Sequence, residues 1–265
     1  MRQYIVNAFT NKPFEGNPAA VCVMEQWPVE QTMMDIAMQN NLSETAFIVL
    51  EKDEEGPESH FHLRWFTPTD EVGLCGHATL ASAYVILNHY MTQADMVEFK
   101  TQAGMVSVRR MGNFYELSFP KIAMNPVEVT DEMVEALGIA PKEAHLGLDL
   151  ICVMEMEEEV ANCHPNDELL KSLPGRMVHI TAPSKTYTCQ TRSFGPKIGI
   201  KEDPVCGSAY CQVAPYWSEQ TGKPLVIAHQ ASKRGGALMC TVEEDKVKIA
   251  GEARLFAISE LILEE

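Results

Sequence analysis

Cys75-Gly76-His77-Ala78 and Cys206-Gly207-Ser208-Ala209 decide how this chain of 265 residues is read. Each follows a turn-like stretch with an acidic pair, Thr67-Pro68-Thr69-Asp70-Glu71 in one case and Lys201-Glu202-Asp203-Pro204 in the other. Glu71 and Glu202 stand at the same offset from their cysteines. Each copy opens a run of helical composition: Ala78 to Leu87, and Ala209 to Ala214 before Pro215 interrupts. Two copies in matched contexts predict two related halves, each with a helix that starts at its Cys-Gly junction.

The chemistry of such a junction is specific. The first turn of a helix leaves N–H groups without partners and carries partial positive charge, so it accepts a carboxylate or phosphate. Glycine lets the backbone approach a ligand closely. A thiol there is expected to have a lowered pKa, and a histidine such as His77 is expected to stay neutral, because the dipole opposes its cation. The plainer reading makes Cys75 and Cys206 small buried fillers. Glu44 read alone is a loop charge, and Asp203 before Pro204 a turn or cap residue.

Composition narrows the partners. The net charge of −16 argues against nucleic acid and anionic membranes. No run reaches the ~18–20 apolar residues of a membrane span, and Tyr4-Ile5-Val6 begins a strand with no signal-peptide layout. Eight scattered cysteines fit a reducing, cytoplasmic setting. The chain has no Cys-x-x-Cys, His-Glu-x-x-His or Gly-x-Gly-x-x-Gly, so no metal and no cofactor is expected. His60-x-His62 lacks a third ligand and is read as a solvated strand face.

The rest of the chain alternates strands with short turns, which favours antiparallel pairing. Strands are expected at Tyr4–Phe9, Ala19–Met24, Ala46–Leu50, Phe61–Trp65, Met96–Lys100, Met105–Arg110 and Phe114–Phe119. A helix begins at Trp27-Pro28 and runs to about Asn40, and Lys52 to Glu58 is an acidic turn. Past Pro120, the expected elements are a helix after Thr130, one strand over Leu146–Met154, an acidic turn at Met156–Glu159 and a helix over Asp167–Leu173. Strands follow at Val178–Ile180, Pro224–His229, Ala237–Val242 and Val247–Ile262. The domains are expected at 1–120 and 127–265, with 121–126 as linker and the last strand returning to the first domain. The apolar run Ala78–Leu87 calls for a helix buried on most sides, which a curved sheet wrapped around it supplies.

Several stretches together carry a family resemblance: Phe14-Glu15-Gly16-Asn17-Pro18-Ala19-Ala20-Val21, Leu42-Ser43-Glu44-Thr45-Ala46-Phe47, Arg64-Trp65-Phe66-Thr67-Pro68, Cys75-Gly76-His77-Ala78-Thr79, Arg192-Ser193-Phe194, Glu202 to Ala209, and Gln230 with Arg234-Gly235-Gly236. In this order they resemble the phenazine-biosynthesis PhzF-like isomerase family, whose fold is that of diaminopimelate epimerase. The resemblance implies an α/β fold of the α+β type. Its two pseudo-twofold-related domains are each a mixed, mostly antiparallel curved sheet around a central helix, with the active site between them. It also implies a cofactor-independent proton-transfer isomerase, often a homodimer, acting on a small carboxylate-bearing metabolite.

Carried over by position, the acid/base carboxylate falls on Glu44, the histidine on His77 and the aspartate on Asp203. Gly76, His77, Gly207 and Ser208 supply helix-start amides for the substrate carboxylate, and Asn17 and Ser43 line the site. Glu44 as the base is expected to have its pKa raised by burial. A second enzymatic reading gives the proton transfer to Cys75 and Cys206, as in the two-cysteine racemases and epimerases that share the fold. A third keeps the fold without catalysis.

Overall fold

The computed structural model describes residues 1–52 and 59–263. Most of the acidic turn expected before Ser59 therefore lies outside the described residues, as does the side chain of His60. The chain divides into two compact units: residues 1–117 with 250–265, and residues 118–249.

Unit 1 is a mixed sheet. β1 (Arg2–Ala8) pairs antiparallel with β2 (Asn17–Met24), and β2 runs parallel to β3 (Glu44–Lys52) through the crossover helix α1 (Glu30–Asn40). β4 (Ser59–Phe66) returns antiparallel on β3, and the two-residue β5 (Glu71–Val72) folds back on β4. After α2 (Gly76–Val85), β6 (Met96–Thr101) pairs parallel with β4 and forms a hairpin with β7 (Gly104–Met111), which pairs with β8 (Phe114–Pro120). Residues 253–260 of the C-terminal strand lie antiparallel on β1.

α2 packs on β1, β2 and β3. His77 to Ala83 and Val85 are all buried, which is why this helix shows no polar stripe. Ala19, Ala20 and Ala46 on the sheet and Ala78, Ala81 and Ala83 on the helix are buried small residues that permit the close approach. The loop that delivers Asn17 depends on Gly16: its φ is +72°, and a Cβ there would lie 2.3 Å from the Ala8 carbonyl oxygen.

Unit 2 repeats the order. β9 (Asn125–Val127), β10 (Glu143–Leu146) and β11 (Leu150–Val153) pair antiparallel in sequence, with the cap-bounded helix α3 (Asp131–Leu137) between β9 and β10. α4 (Glu157–Asn162) and α5 (Asp167–Leu170) follow, and β12 (Val178–Pro183) is parallel to β11. β13 (Cys189–Gly195) lies antiparallel on β12, and the short β14 (Ile200–Asp203) lies on β13. A 3-10 turn over Gly207–Ala209 leads into α6 (Tyr210–Thr221). β15 (Leu225–Gln230) then pairs parallel with β13 and forms a hairpin with β16 (Gly236–Val242). In β17 (Lys246–Glu260), residues up to Ile249 belong to this unit. Both units therefore run parallel pair, antiparallel return, short strand, Cys-Gly helix, parallel strand, hairpin.

The repeat extends to side chains. Arg64 on β4 grips Glu71 on β5 with two hydrogen bonds, 2.6 and 2.7 Å, and its guanidinium lies 5.1 Å from the Phe66 ring. Arg192 on β13 grips Glu202 on β14 at 2.7 and 3.0 Å and lies 5.0 Å from the Phe194 ring. The glutamates that the sequence set at equal offsets from the cysteines are thus the acidic halves of two planar clamps. Each clamp ties the stretch before its Cys-Gly junction to the sheet. Glu202→Ala is expected to cost about 2–3 kcal/mol, somewhat under the range for breaking a buried pair, because Glu202 keeps some contact with water. Urea denaturation measures it, and a loss below about 0.5 kcal/mol, the size of an exposed pair, would show that the clamp contributes little.

Several sequence expectations are corrected. The linker expected at 121–126 falls within unit 2, and Asn125–Val127 is a strand. The single strand expected over Leu146–Met154 is two, with a turn at Gly147-Leu148-Asp149. The acidic stretch expected as a turn opens α4, whose first turn holds Glu157, Glu158 and Glu159, a favourable place for carboxylates. β13 was not expected. Pro215 does not end its helix, and α6 continues to Thr221. The carbonyl left without a helical donor by proline is that of Cys211, which accepts from Ile122 N–H at 3.0 Å instead. No helix among the described residues is long and apolar enough to cross a membrane.

Candidate active site

The functional cluster of unit 1 is assembled from β3 and α2. β3 begins at Glu44, and Ala19 of the parallel β2 lies opposite it, so Asn17, Ser43 and Glu44 sit at the same end of two adjacent strands. Asn17 is fully buried and Ser43 half-buried. Cys75 is the N-cap of α2 in extended conformation, and no side chain caps the helix start. That leaves the first-turn amides open to a ligand anion.

Glu44 is 9 % exposed and His77 6 %. Glu44 Oε2 lies 3.1 Å from His77 Nε2, and the Cys75 thiol lies 3.5 Å from His77 Nδ1. The Glu44–His77 approach is a charge contact without hydrogen-bond alignment, so neither atom has a hydrogen-bond partner among the described residues. Burial alone would raise the Glu44 pKa, but the charge and close polar approach of His77, with a smaller contribution from Cys75, outweigh it, and the pKa is lowered. Burial likewise disfavours the His77 cation, but the charges of Cys75 and Glu44 outweigh it and push His77 well above its ordinary value. Two expectations are thereby reversed. His77 is favoured as a cation, and Glu44 is a carboxylate with lowered pKa, because the pair compensates its own burial.

The thiols are also corrected. Burial, then the Glu44 carboxylate, raises Cys75 above the ordinary thiol value. Burial, then the Asp203 carboxylate, pushes Cys206 well above it. The helix-start amides of Ala78 and Ala209 act in the expected direction but lose to desolvation. All eight cysteines are free.

One donor atom each from Glu44, Cys75 and His77 lies within 4.8 Å of the others. The three residues could ligate a metal only with His77 neutral and the Cys75 thiol deprotonated, the opposite of the states their surroundings favour. Sequence spacing concealed the grouping, because Glu44 is on a different element from the other two.

In unit 2, Cys206 is the N-cap of the 3-10 turn, again with no side-chain cap. Its thiol lies 3.4 Å from Ser208 Oγ, and Ser208 is exposed. Asp203 is half-buried at the end of β14, and its Oδ1 accepts from Val205 N–H at 3.1 Å. The turn role considered for Asp203 is therefore real, whatever else the residue does. Gln230 fixes the same junction: its Oε1 accepts from Cys206 N–H and its amide donates to the Asp203 carbonyl. Gly207 is buried beside it.

Sequence reading missed the residues behind Ser208. Arg176 donates to Ser208 Oγ at 3.2 Å and grips Asp149 through Nε at 3.1 Å and Nη2 at 2.9 Å. Asp149 also contacts His179 Nε2 at 3.1 Å, and His179 Nδ1 contacts Ser193 Oγ at 2.9 Å. Ser193, His179 and Asp149 have the residue types of a hydrolytic triad. Ser193 and His179 are completely buried, so no substrate reaches the hydroxyl. The only sequence signal was Arg192-Ser193-Phe194 as part of a motif.

The fold is of epimerase-like architecture, and the chain's relatives place it among the isomerases. The family model of phenazine biosynthesis-like proteins matches residues 6–258, and the chain belongs to that PhzF family. It is 42% identical to an uncharacterized isomerase of Pseudomonas aeruginosa over 251 residues, 95% of each chain. A crystal structure of a PhzF-family protein from Enterococcus faecalis superposes with a TM-score of 0.94 at 44% identity, covering 99% of both chains. A probable proline racemase from Agrobacterium radiobacter, 10% identical, shares the fold with a TM-score of 0.64 over 99% of this chain and 93% of that one.

Proposed function

We propose that the chain is a cofactor-independent isomerase that moves a proton on a small carboxylate-bearing metabolite, with Glu44 as the acid/base group. The observation that carries this is the buried Glu44–His77 pair at 3.1 Å, whose facing atoms have no hydrogen-bond partner among the described residues. A buried acid and base whose pKa values are shifted apart by each other's charge are the arrangement in which perturbed groups mark a functional site. The ionised Glu44 takes a proton from a carbon next to the substrate carboxylate and returns it at another. His77 carries the compensating charge and orients the substrate. The uncapped amides at Gly76 and His77 and at Gly207 and Ser208 stabilise negative charge developing on the substrate. Asn17 and Ser43 line the site, and Asp203, by its place in the family motif, is assigned to the second proton.

The two-thiol reading is weaker. It needs one thiolate as base, and both Cys75 and Cys206 are pushed toward the neutral thiol. The test is incubation with a mixture of small carboxylic acids in deuterated water, read by mass spectrometry. A one-deuteron gain in at least one component is expected with the wild type and not with Glu44→Gln. Wash-in that survives Glu44→Gln and disappears in either cysteine-to-serine variant would move the chemistry to the thiols.

A further inference from the structure

Arg176 brings a full positive charge to the second Cys-Gly junction, and its environment is built to hold that charge in place. Gly175, at φ +82°, allows the preceding backbone to press against β11: a Cβ there would lie 2.7 Å from Leu150 N. The two segments are laced by Arg176 N–H to the Leu148 carbonyl at 3.1 Å, Met177 N–H to Asp149 Oδ1 at 3.0 Å and Leu150 N–H to the Met177 carbonyl at 2.9 Å. Asp149 is 1 % exposed. Gln212 of α6 holds its backbone from both sides, accepting from Asp149 N–H at 2.9 Å and donating to its carbonyl at 3.1 Å.

The carboxylate so fixed takes one edge of the guanidinium, through Nε and Nη2, and Nη2 also reaches Ser208 Oγ. Nη1 has no partner among the described residues, and the side chain is 37 % exposed. A guanidinium presents five N–H donors, and this one uses Nε and Nη2 for anchoring. What the arrangement provides is a rigid, pre-oriented half of a fork, already desolvated on its inner side and adjoining a serine hydroxyl.

We infer that Arg176 Nη1, together with Ser208 Oγ, is the receptor for a carboxylate of the ligand, with Asp149 as the positioning residue that aims it. This rests on the isomerase reading above and adds to it a charged group for the substrate's acid function, where that reading had only backbone amides. Nη1 with its positive charge and the Ser208 hydroxyl together offer two donors to a pair of anionic oxygens, so the ligand class is a carboxylic acid in its ionised form.

The test uses the whole protein labelled with ¹⁵N-arginine and succinate as probe, with dimethyl succinate as the uncharged control. The Arg176 Nε signal, assigned by its loss in Arg176→Gln, is expected to shift saturably with succinate and not with the diester. Affinity should fall about tenfold or more in Arg176→Gln, as expected for loss of a charge-assisted contact, and recover in part in Arg176→Lys. No shift of Arg176 in the wild type, or equal affinity in wild type and Arg176→Gln, overturns the inference. If Arg176→Gln does not fold, the wild-type titration with the two probes still decides, with the signal assigned from Arg176→Lys. Arg176-dependent succinate binding without any deuterium wash-in would leave the receptor standing and remove the proton-transfer reading. Wash-in with succinate affinity indifferent to Arg176 would do the reverse.

Discussion

Glu44→Gln is expected to lower turnover by about 10²–10⁴-fold, the range of a general acid–base group, with substrate affinity changed far less. The amide keeps the shape of the carboxylate beside His77 but takes no proton at neutral pH. Cys75→Ser and Cys206→Ser are expected to keep most activity, because both thiols are held neutral by burial and nearby carboxylates. The pH profile adds a second check. Glu44 must be ionised, and its pKa is lowered by the pair, so the acid limb should fall below the ordinary glutamate value of about 4.3. His77 must be charged, and its pKa is raised, so the alkaline limb should lie above about 6.5. Linkage has matching signs. The contribution of Glu44 to stability is present above its unfolded pKa and is lost as pH falls through the lowered folded value. That of His77 is present below its unfolded pKa and is lost as pH rises through the raised one. In His77→Asn the burial of Glu44 remains and its counter-charge does not, so the acid limb should move upward. Wild-type turnover in Glu44→Gln would refute the assignment.

The repeat could be read from the chain because it is local. Cys-Gly at two helix starts, with Glu71 and Glu202 at equal offsets, survives as side-chain clamps of the same form in both units. Glu44 and His77 were legible only through the motifs around them, since nothing in the spacing of residues 44 and 77 says that they meet. The protonation states differ from expectation because single influences were weighed alone: the helix start at His77, Cys75 and Cys206, where burial and facing charges outweigh its field, and burial at Glu44, where the charge of His77 outweighs it. Asp149 escaped notice because Leu146–Met154 is apolar enough to pass for one strand. The turn at Gly147-Leu148-Asp149 exists because Gln212, far along the chain, satisfies the Asp149 backbone. Arg176 follows from Asp149 and was invisible for the same cause. Pro215 was read as a helix break because its missing donor was counted and the rescue of the Cys211 carbonyl by Ile122 was not foreseeable.

Asp149→Asn is expected to cost about 3 kcal/mol of folding stability. The carboxylate is 1 % exposed and accepts from the Arg176 guanidinium twice, from Met177 N–H and beside His179 Nε2. An asparagine fits the space, but it has no charge for Arg176 and turns an N–H₂ toward donors. Breaking a buried pair from one side leaves the other charge uncompensated, worth about 3–5 kcal/mol. The low end applies, since Arg176 is 37 % exposed and water screens part of its charge. The pH dependence identifies the cause. Burial opposes the Asp149 charge, but hydrogen bonds and charge from His179 and Arg176 outweigh it and hold the pKa well below the ordinary carboxylate range. Its stabilisation is therefore complete above the unfolded value of about 3.9 and is lost as pH falls from there toward the folded pKa. Urea denaturation of wild type and Asp149→Asn at a series of pH values should show the largest gap near neutrality and a shrinking gap on acidification below about pH 4. A gap that stays constant down to low pH would mean that shape, and not charge, is what Asp149 supplies. Arg176 would then be aimed by packing alone.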